Sequence, residues 1–181
     1  ERGVLAVVTA VFLFLVFFRG RVFVYTLVDR GDGGIWLDEA ARVLAGEVLY
    51  RDGFEFVGPG IVYLNAAALA LLGDRVETVG LLAVAVGVAV VLAVHALAAA
   101  LLPAVWRLGP PVAVGVLVYA AYGLGNHKWP SLAFGVWALA VLVRGDARRW
   151  TTGAAAGALL GVSTIFTQDL GAGMTAGALL A

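Results

Sequence analysis

Seven of the chain's twelve carboxylates lie between Asp29 and Glu55, and the chain has no cysteine. Proton transfer and the binding of cations or phosphates therefore fall to Asp, Glu, His, Lys and Arg. Asp32 stands in Arg30-Gly31-Asp32-Gly33-Gly34, where glycines on both sides let the backbone come close to a ligand. A carboxylate there can take a proton, or hold a cation beside a phosphate. The same residues also make a plain solvated turn. Asp38 and Glu39 are adjacent, so on a helix they point about 100° apart and form a poor chelating pair. Near a helix start they favour the positive end of its dipole instead.

Tyr50-Arg51-Asp52 and Phe54-Glu55-Phe56 follow. Arg51 matches a phosphate in a bidentate way, or pairs with Asp52 or Glu55. His95 lies in the middle of a long apolar run, where a neutral imidazole bonding a neighbouring helix is favoured over a functional role. His127 and Lys128 precede Trp129, and Lys with Trp is a routine interfacial anchor. Asp169, after Gln168, separates two apolar stretches and calls for a partner or a wet cavity. No Walker loop, HExxH, GxSxG or Ser-His spacing is present.

The elements that must carry these groups are strongly apolar. Hydrophobic residues make up 62% of the chain and charged ones 13%, about half the charged share of an ordinary soluble domain. The expected fold is all-α, a polytopic transmembrane helix bundle of about five spans. These are Val4–Phe18 (reaching Val28 if Arg19 and Arg21 snorkel), Val79–Trp106, Leu108–His127, Trp129–Val143 and Trp150–Gln168. Residues 29–78 form a first outer loop, with interfacial helices over 35–45 and 61–73. Gly46 stops the first of these, and the second is too short to span. Arg107, Arg144, Arg148 and Arg149 mark the cytoplasmic side. Gly153, Gly157 and Gly161 recur every fourth residue and suit close helix contact. Zero net charge gives no sign of a nucleic-acid partner. The chain starts at Glu1 and stops inside an apolar run, so residues 1–181 are read as the N-terminal part of a single transmembrane domain, with its C-terminal part absent.

The order of these features resembles the N-terminal part of the GT-C membrane glycosyltransferases, in the branch of protein O-mannosyltransferase-like and lipid A aminoarabinose transferase-like bacterial enzymes. The residues that carry the likeness are an early Asp, a short helix closing on Leu44-Ala45-Gly46, and Leu49-Tyr50-Arg51-Asp52. Pro59-Gly60-Ile61-Val62-Tyr63-Leu64-Asn65-Ala66 and a run closing on Leu72-Gly73 complete the block. Asp32 stands 14 residues before Gly46, the offset at which that family carries its acid, with Asp38 as the alternative. Gly33, Leu49 and Gly58 depart from the family's usual Glu, Pro and Pro, and Thr167 stands where a basic residue is common.

The resemblance implies inverting transfer of a sugar from a polyprenyl-phosphate donor to a lipid, glycan or protein acceptor. The reaction would run at the outer face of a bacterial inner membrane, in contact with membrane lipids. Asp32 would be the general base. Arg51, Asp52, Glu55, His127, Lys128 and Asp169 would bind substrate, and Arg51, Lys128 or a divalent metal would stabilise the leaving phosphate. The rival classes are a transporter or channel subunit, which predicts substrate groups at mid-bilayer, and a non-catalytic membrane scaffold.

Overall fold

The computed structural model of the protein describes residues 32–53, 55–115, 126–146 and 148–180. Among them the fold is all-α. Helix α1 runs Asp32–Leu44, α2 Gly60–Leu72 and α3 Val76–Leu101. A 3-10 turn at Ala104–Trp106 leads to the short α4, Gly109–Ala113. Helices α5 (Lys128–Arg144), α6 (Trp150–Phe166) and α7 (Gln168–Leu180) complete the order.

Local chemistry sets most of these boundaries. Past the end of α1, Gly46 takes a positive φ of 98°. Its N–H bonds the Val43 carbonyl while the Glu47 N–H reaches Arg42, the paired closure that a left-handed glycine permits. Gly73 (φ 100°) turns the chain after α2, and the Thr78 hydroxyl donates to the Gly73 carbonyl at 2.7 Å to hold the hairpin into α3. Helix α3 stops at Leu102, which is extended at φ −112° and ψ 149° because Pro103 follows and disfavours helical geometry in the residue before it. Pro110 and Pro111 open α4, where their missing N–H groups cost nothing.

Five spans are not what these residues form. Among the described residues one helix, Glu77–Leu101, is long and apolar enough to cross a membrane. Helices α5 and α6 have 17 residues each, about 26 Å of rise against a hydrocarbon core of about 30 Å. The apolar run Trp150–Gln168 is cut at Thr167, which is extended at φ −152°. The run Trp129–Val143 is closed by Gly145, extended at φ −80°. The expected span Val4–Phe18 lies outside the described residues, as does most of Leu108–His127. The expectation of a polytopic bundle is therefore corrected to an all-α fold with a single candidate span among the described residues.

Helix α5 is the hub, packing mainly on α6 and α3, while α1 lies on α2 and α7 on α6. Ser131 and Ser163, both fully buried, clamp α5 to α6. The Ser163 hydroxyl donates to the Ser131 carbonyl at 2.8 Å, and the two hydroxyl oxygens lie 2.9 Å apart. Ala138, Ala156 and Leu160 continue that contact with Met174 packed beside them. At the other end Trp36, Leu49, Val57, Ile61, Val62 and Phe166 form one cluster, and the Phe134 and Phe166 rings stack with centroids 5.8 Å apart.

Candidate functional site

The polar residues between α1 and α2 fold onto one another. The Arg42 guanidinium, on the last turn of α1, donates to Glu47 at 2.8 Å, to Glu39 at 3.2 Å and to the Asp52 carbonyl at 3.2 Å. It also lies against Gly53, so close that a Cβ there would sit 3.2 Å from its nitrogens. Asp52 accepts the Val48 N–H at 2.7 Å, and both of its oxygens receive Arg51 at 2.8 and 2.6 Å. The Arg51 fork holds the Asp52 carboxyl below its usual value, with the Val48 amide adding to the effect. Tyr50 has a positive φ of 67°, uncommon for a residue with a side chain, and its hydroxyl donates to the Val57 carbonyl at 2.7 Å. Burial is the main cause of an upward shift in that phenol's pKa.

Glu55 is buried, and one of its oxygens accepts the N–H groups of Phe56 (2.7 Å) and Val57 (3.0 Å). The Gly58-Pro59-Gly60 break then passes directly over the end of α6. A Cβ on Gly58 would collide with the Ile165 carbonyl, and one on Gly60 with the Phe166 ring at 2.8 Å. Glycine is required here for closeness rather than for an unusual φ.

The same end of the molecule gathers residues far apart in sequence. The Trp36 and His127 rings meet edge to face at 4.9 Å. The Thr167 hydroxyl donates to the His127 carbonyl at 3.3 Å, tying the break between α6 and α7 to the start of α5. Asn126 Oδ1 accepts the Lys128 N–H at 2.9 Å, and the Lys128 side chain is exposed. Asp169 is exposed in the first turn of α7 and accepts the Leu170 N–H at 2.8 Å.

The expected catalytic and binding residues are thus dispersed among local structural roles. Asp32 is the first residue of α1, and its side chain lies outside the described set. Asp38 is exposed. Arg51, Asp52 and Glu55 bond their own loop, and Asp169 its own helix. Among the described residues no group of three or more His, Cys, Asp or Glu is placed to hold a metal ion.

Asn65, like Arg42, was given no role by the sequence reading. It is 3% exposed. It borders a shallow, almost wholly apolar cleft between α2, the first turns of α3 and the start of α5, with Ile61, Leu64, Leu82 and Val86 among its walls. The enclosed part of that cleft is about 10 Å³, about one water's worth. The signal was available, since Asn65 is the lone amide in the apolar segment Gly60–Leu72.

Comparison with family models, with curated proteins and with solved structures returns no match. The likeness to the GT-C enzymes therefore stands on the quoted residues alone. The expected activity is corrected. A transferase handling a polyprenyl-phosphate donor needs a multi-span framework, and one candidate span is found among the described residues. The carboxylates between α1 and α2 are turned inward on Arg42, Arg51 and backbone amides rather than converging on a reacting centre. The expected location as a multi-pass inner-membrane protein is overturned by the same single span.

Proposed function

We propose that the chain is a binding module rather than an enzyme. It is a helical unit whose partner is membrane lipid, engaged through helix α3, with the α1–α2 connection as a rigid polar cap at the surface. One observation carries this. Glu77–Leu101 has a mean hydropathy of 2.6, yet only 39% of its most apolar window is buried inside the protein. The core helix of a water-soluble fold is hidden by its neighbours, because exposed apolar surface costs about 25 cal/mol per Å². Most of this helix needs cover from outside, and hydrocarbon supplies it. Leu81, Ala85 and Ala100 all lie on uncovered parts of it. The likeness of the 32–73 block to the GT-C enzymes is carried forward as a proposal of shared descent, without shared activity.

The test uses the absence of cysteine. Leu81→Cys, Ala85→Cys and Ala100→Cys are each labelled with an environment-sensitive dye and mixed with phosphatidylcholine vesicles. A blue shift with quenching by brominated lipid is expected at Ala85, with less at the two ends. Dyes that stay quenchable by aqueous iodide at all three positions sink the proposal.

A further inference from the structure

We infer that the arginine- and tryptophan-bearing end of the molecule, opposite the polar cap, is a docking surface for the headgroups of anionic phospholipids. The inference deepens the lipid-binding reading above and rests on it for lipid as the partner; it adds which lipid and which end. Helices α3 and α5 both set out from the cleft that Ala83, Asn126 and Pro130 line, and they stay packed through Val90, Trp129 and Ala133. Ala83 to Leu101 is about 27 Å of rise and Pro130 to Arg144 about 21 Å, so the two helices end within about one turn of each other. Helix α6 returns antiparallel, with Thr152 against Gly145. The 3-10 turn, the end of α5 and the start of α6 therefore share one end of the fold.

Charge is sorted along this axis. Among the described residues the far end carries Arg107, Arg144, Arg148 and Arg149 against one carboxylate, Asp146. Between Asp32 and Glu77, at the cap end, there are eight carboxylates and three arginines. Glu77 and Leu101 are about 36 Å apart along the helix, several times the screening length of about 8 Å at physiological salt. The acidic cap therefore does not cancel the basic end, and an anionic surface is drawn to one end alone. Asp146 accepts the Arg148 N–H at 3.0 Å and lies 3.6 Å from Arg149 Nε, so it offsets one arginine of the four. Arg144, Arg148 and Arg149 are exposed.

The apolar neighbours select lipid among polyanions. Trp150 is 81% exposed, Val105 80% and Trp106 66%, with Leu101 and Val143 also open. Tryptophan rings beside arginines suit the boundary between headgroups and acyl chains. The aliphatic side chains give a nucleic-acid base nothing to stack on, whereas acyl chains cover them.

The experiment transfers the full chain from detergent micelles into an equal mixture of phosphatidylcholine and phosphatidylglycerol vesicles of different density, which flotation then separates. Each net arginine near an anionic surface is worth about fivefold, so three should give wild type a preference for phosphatidylglycerol of about 100-fold at 0.1 M salt. Arg144→Gln combined with Arg148→Gln should lower it to about fivefold, and Asp146→Asn should raise it by about fivefold. Arg75→Gln, at the cap end, should leave it unchanged. In 1 M salt the screening length falls from about 10 to about 3 Å, and the ratio should move toward one. A wild-type ratio near one, a preference that survives the double change, or an equal loss in Arg75→Gln overturns the inference. Release from phosphatidylglycerol by an equal charge of polyuridylate would assign the surface to nucleic acid and also overturn it. Flotation on each lipid alone keeps the two readings apart. Wild type that floats on phosphatidylcholine but shows no preference sinks this inference and leaves anchoring through α3 standing. Wild type that floats on phosphatidylglycerol only does the reverse, and wild type that floats on neither sinks both.

Discussion

The Ser131–Ser163 clamp gives the sharpest test of how the helices are held. Each hydroxyl has one proton, but three short contacts join the pair. Ser131 Oγ lies 3.0 Å from the Ser163 carbonyl and 2.9 Å from Ser163 Oγ, and Ser163 Oγ lies 2.8 Å from the Ser131 carbonyl. The Ser163 carbonyl already accepts the Thr167 N–H at 3.1 Å. The two shortest contacts favour a relay in which Ser131 donates to Ser163 and Ser163 donates to the Ser131 carbonyl. Each bond is worth about 1 kcal/mol net in a buried site. Ser131→Ala breaks the first bond, and Ser163→Ala breaks both but frees the Ser131 hydroxyl to turn to the Ser163 carbonyl. Ser131→Ala should cost about 1 kcal/mol and Ser163→Ala about 1.5 kcal/mol, because the freed hydroxyl recovers only part of a bond; the double change should cost about 2 kcal/mol, less than their sum by about 0.5 kcal/mol, since the shared bond is lost only once. The four proteins are compared by reversible unfolding in mixed micelles with rising sodium dodecyl sulfate, followed by tryptophan fluorescence. Strict additivity would refute the relay and favour two independent bonds to carbonyls. A stabilising single alanine would refute the clamp itself.

Three further outcomes follow from contacts already described. Gly58→Ala drives a Cβ into the Ile165 carbonyl, which is backbone, whereas Gly135→Ala meets only the Met174 side chain; the first should cost about 2 kcal/mol or more and the second under about 1 kcal/mol in the same unfolding assay, because only methionine can move aside. Glu55→Gln keeps an acceptor for the Phe56 and Val57 amides and should be nearly neutral, while Glu55→Ala strands both donors at about 1–3 kcal/mol; equal losses would show that the charge, not the acceptor, matters. Asp52 has its pKa lowered from 3.8 by Arg51 and the Val48 amide, so its contribution to stability is complete above 3.8 and is lost as pH falls below that through the lowered folded value. Hydrogen exchange of the Val48 amide, corrected for its intrinsic rate, should therefore accelerate below about pH 3.8 in wild type and lose that dependence in Asp52→Asn.

Helical character and the glycine turns were legible from residue types, because Gly46 and Gly73 do what few other residues can at positive φ. The number of spans was not. An apolar run shows where a helix is allowed, and tertiary contacts decide where it stops. The run Trp150–Gln168 reads as one span, but Thr167 leaves the helix to bond the His127 carbonyl, a partner 40 residues away in sequence. The run Val79–Trp106 ends at Leu102 because Pro103 follows, a signal that was visible and outweighed by hydropathy. Among candidate site residues, the sequence placed the acids of the α1–α2 connection near one another. It could not say that Arg42, which was given no role, would be the centre on which Glu39, Glu47 and the Asp52 carbonyl converge.

The same convergence separates a binding surface from a reacting one. A general base works when its carboxylate is left short of partners, so that it can take a proton from substrate. Asp52 has three charge-assisted or amide bonds, and its pKa is lowered rather than raised. Glu55 is spent on two backbone amides. These groups rigidify the cap, and a rigid cap is what a binding module needs in order to hold α2 against the end of α6. The proposed binding role draws instead on Glu77–Leu101, the one helix among the described residues long and apolar enough to cross a membrane, most of whose apolar window is uncovered.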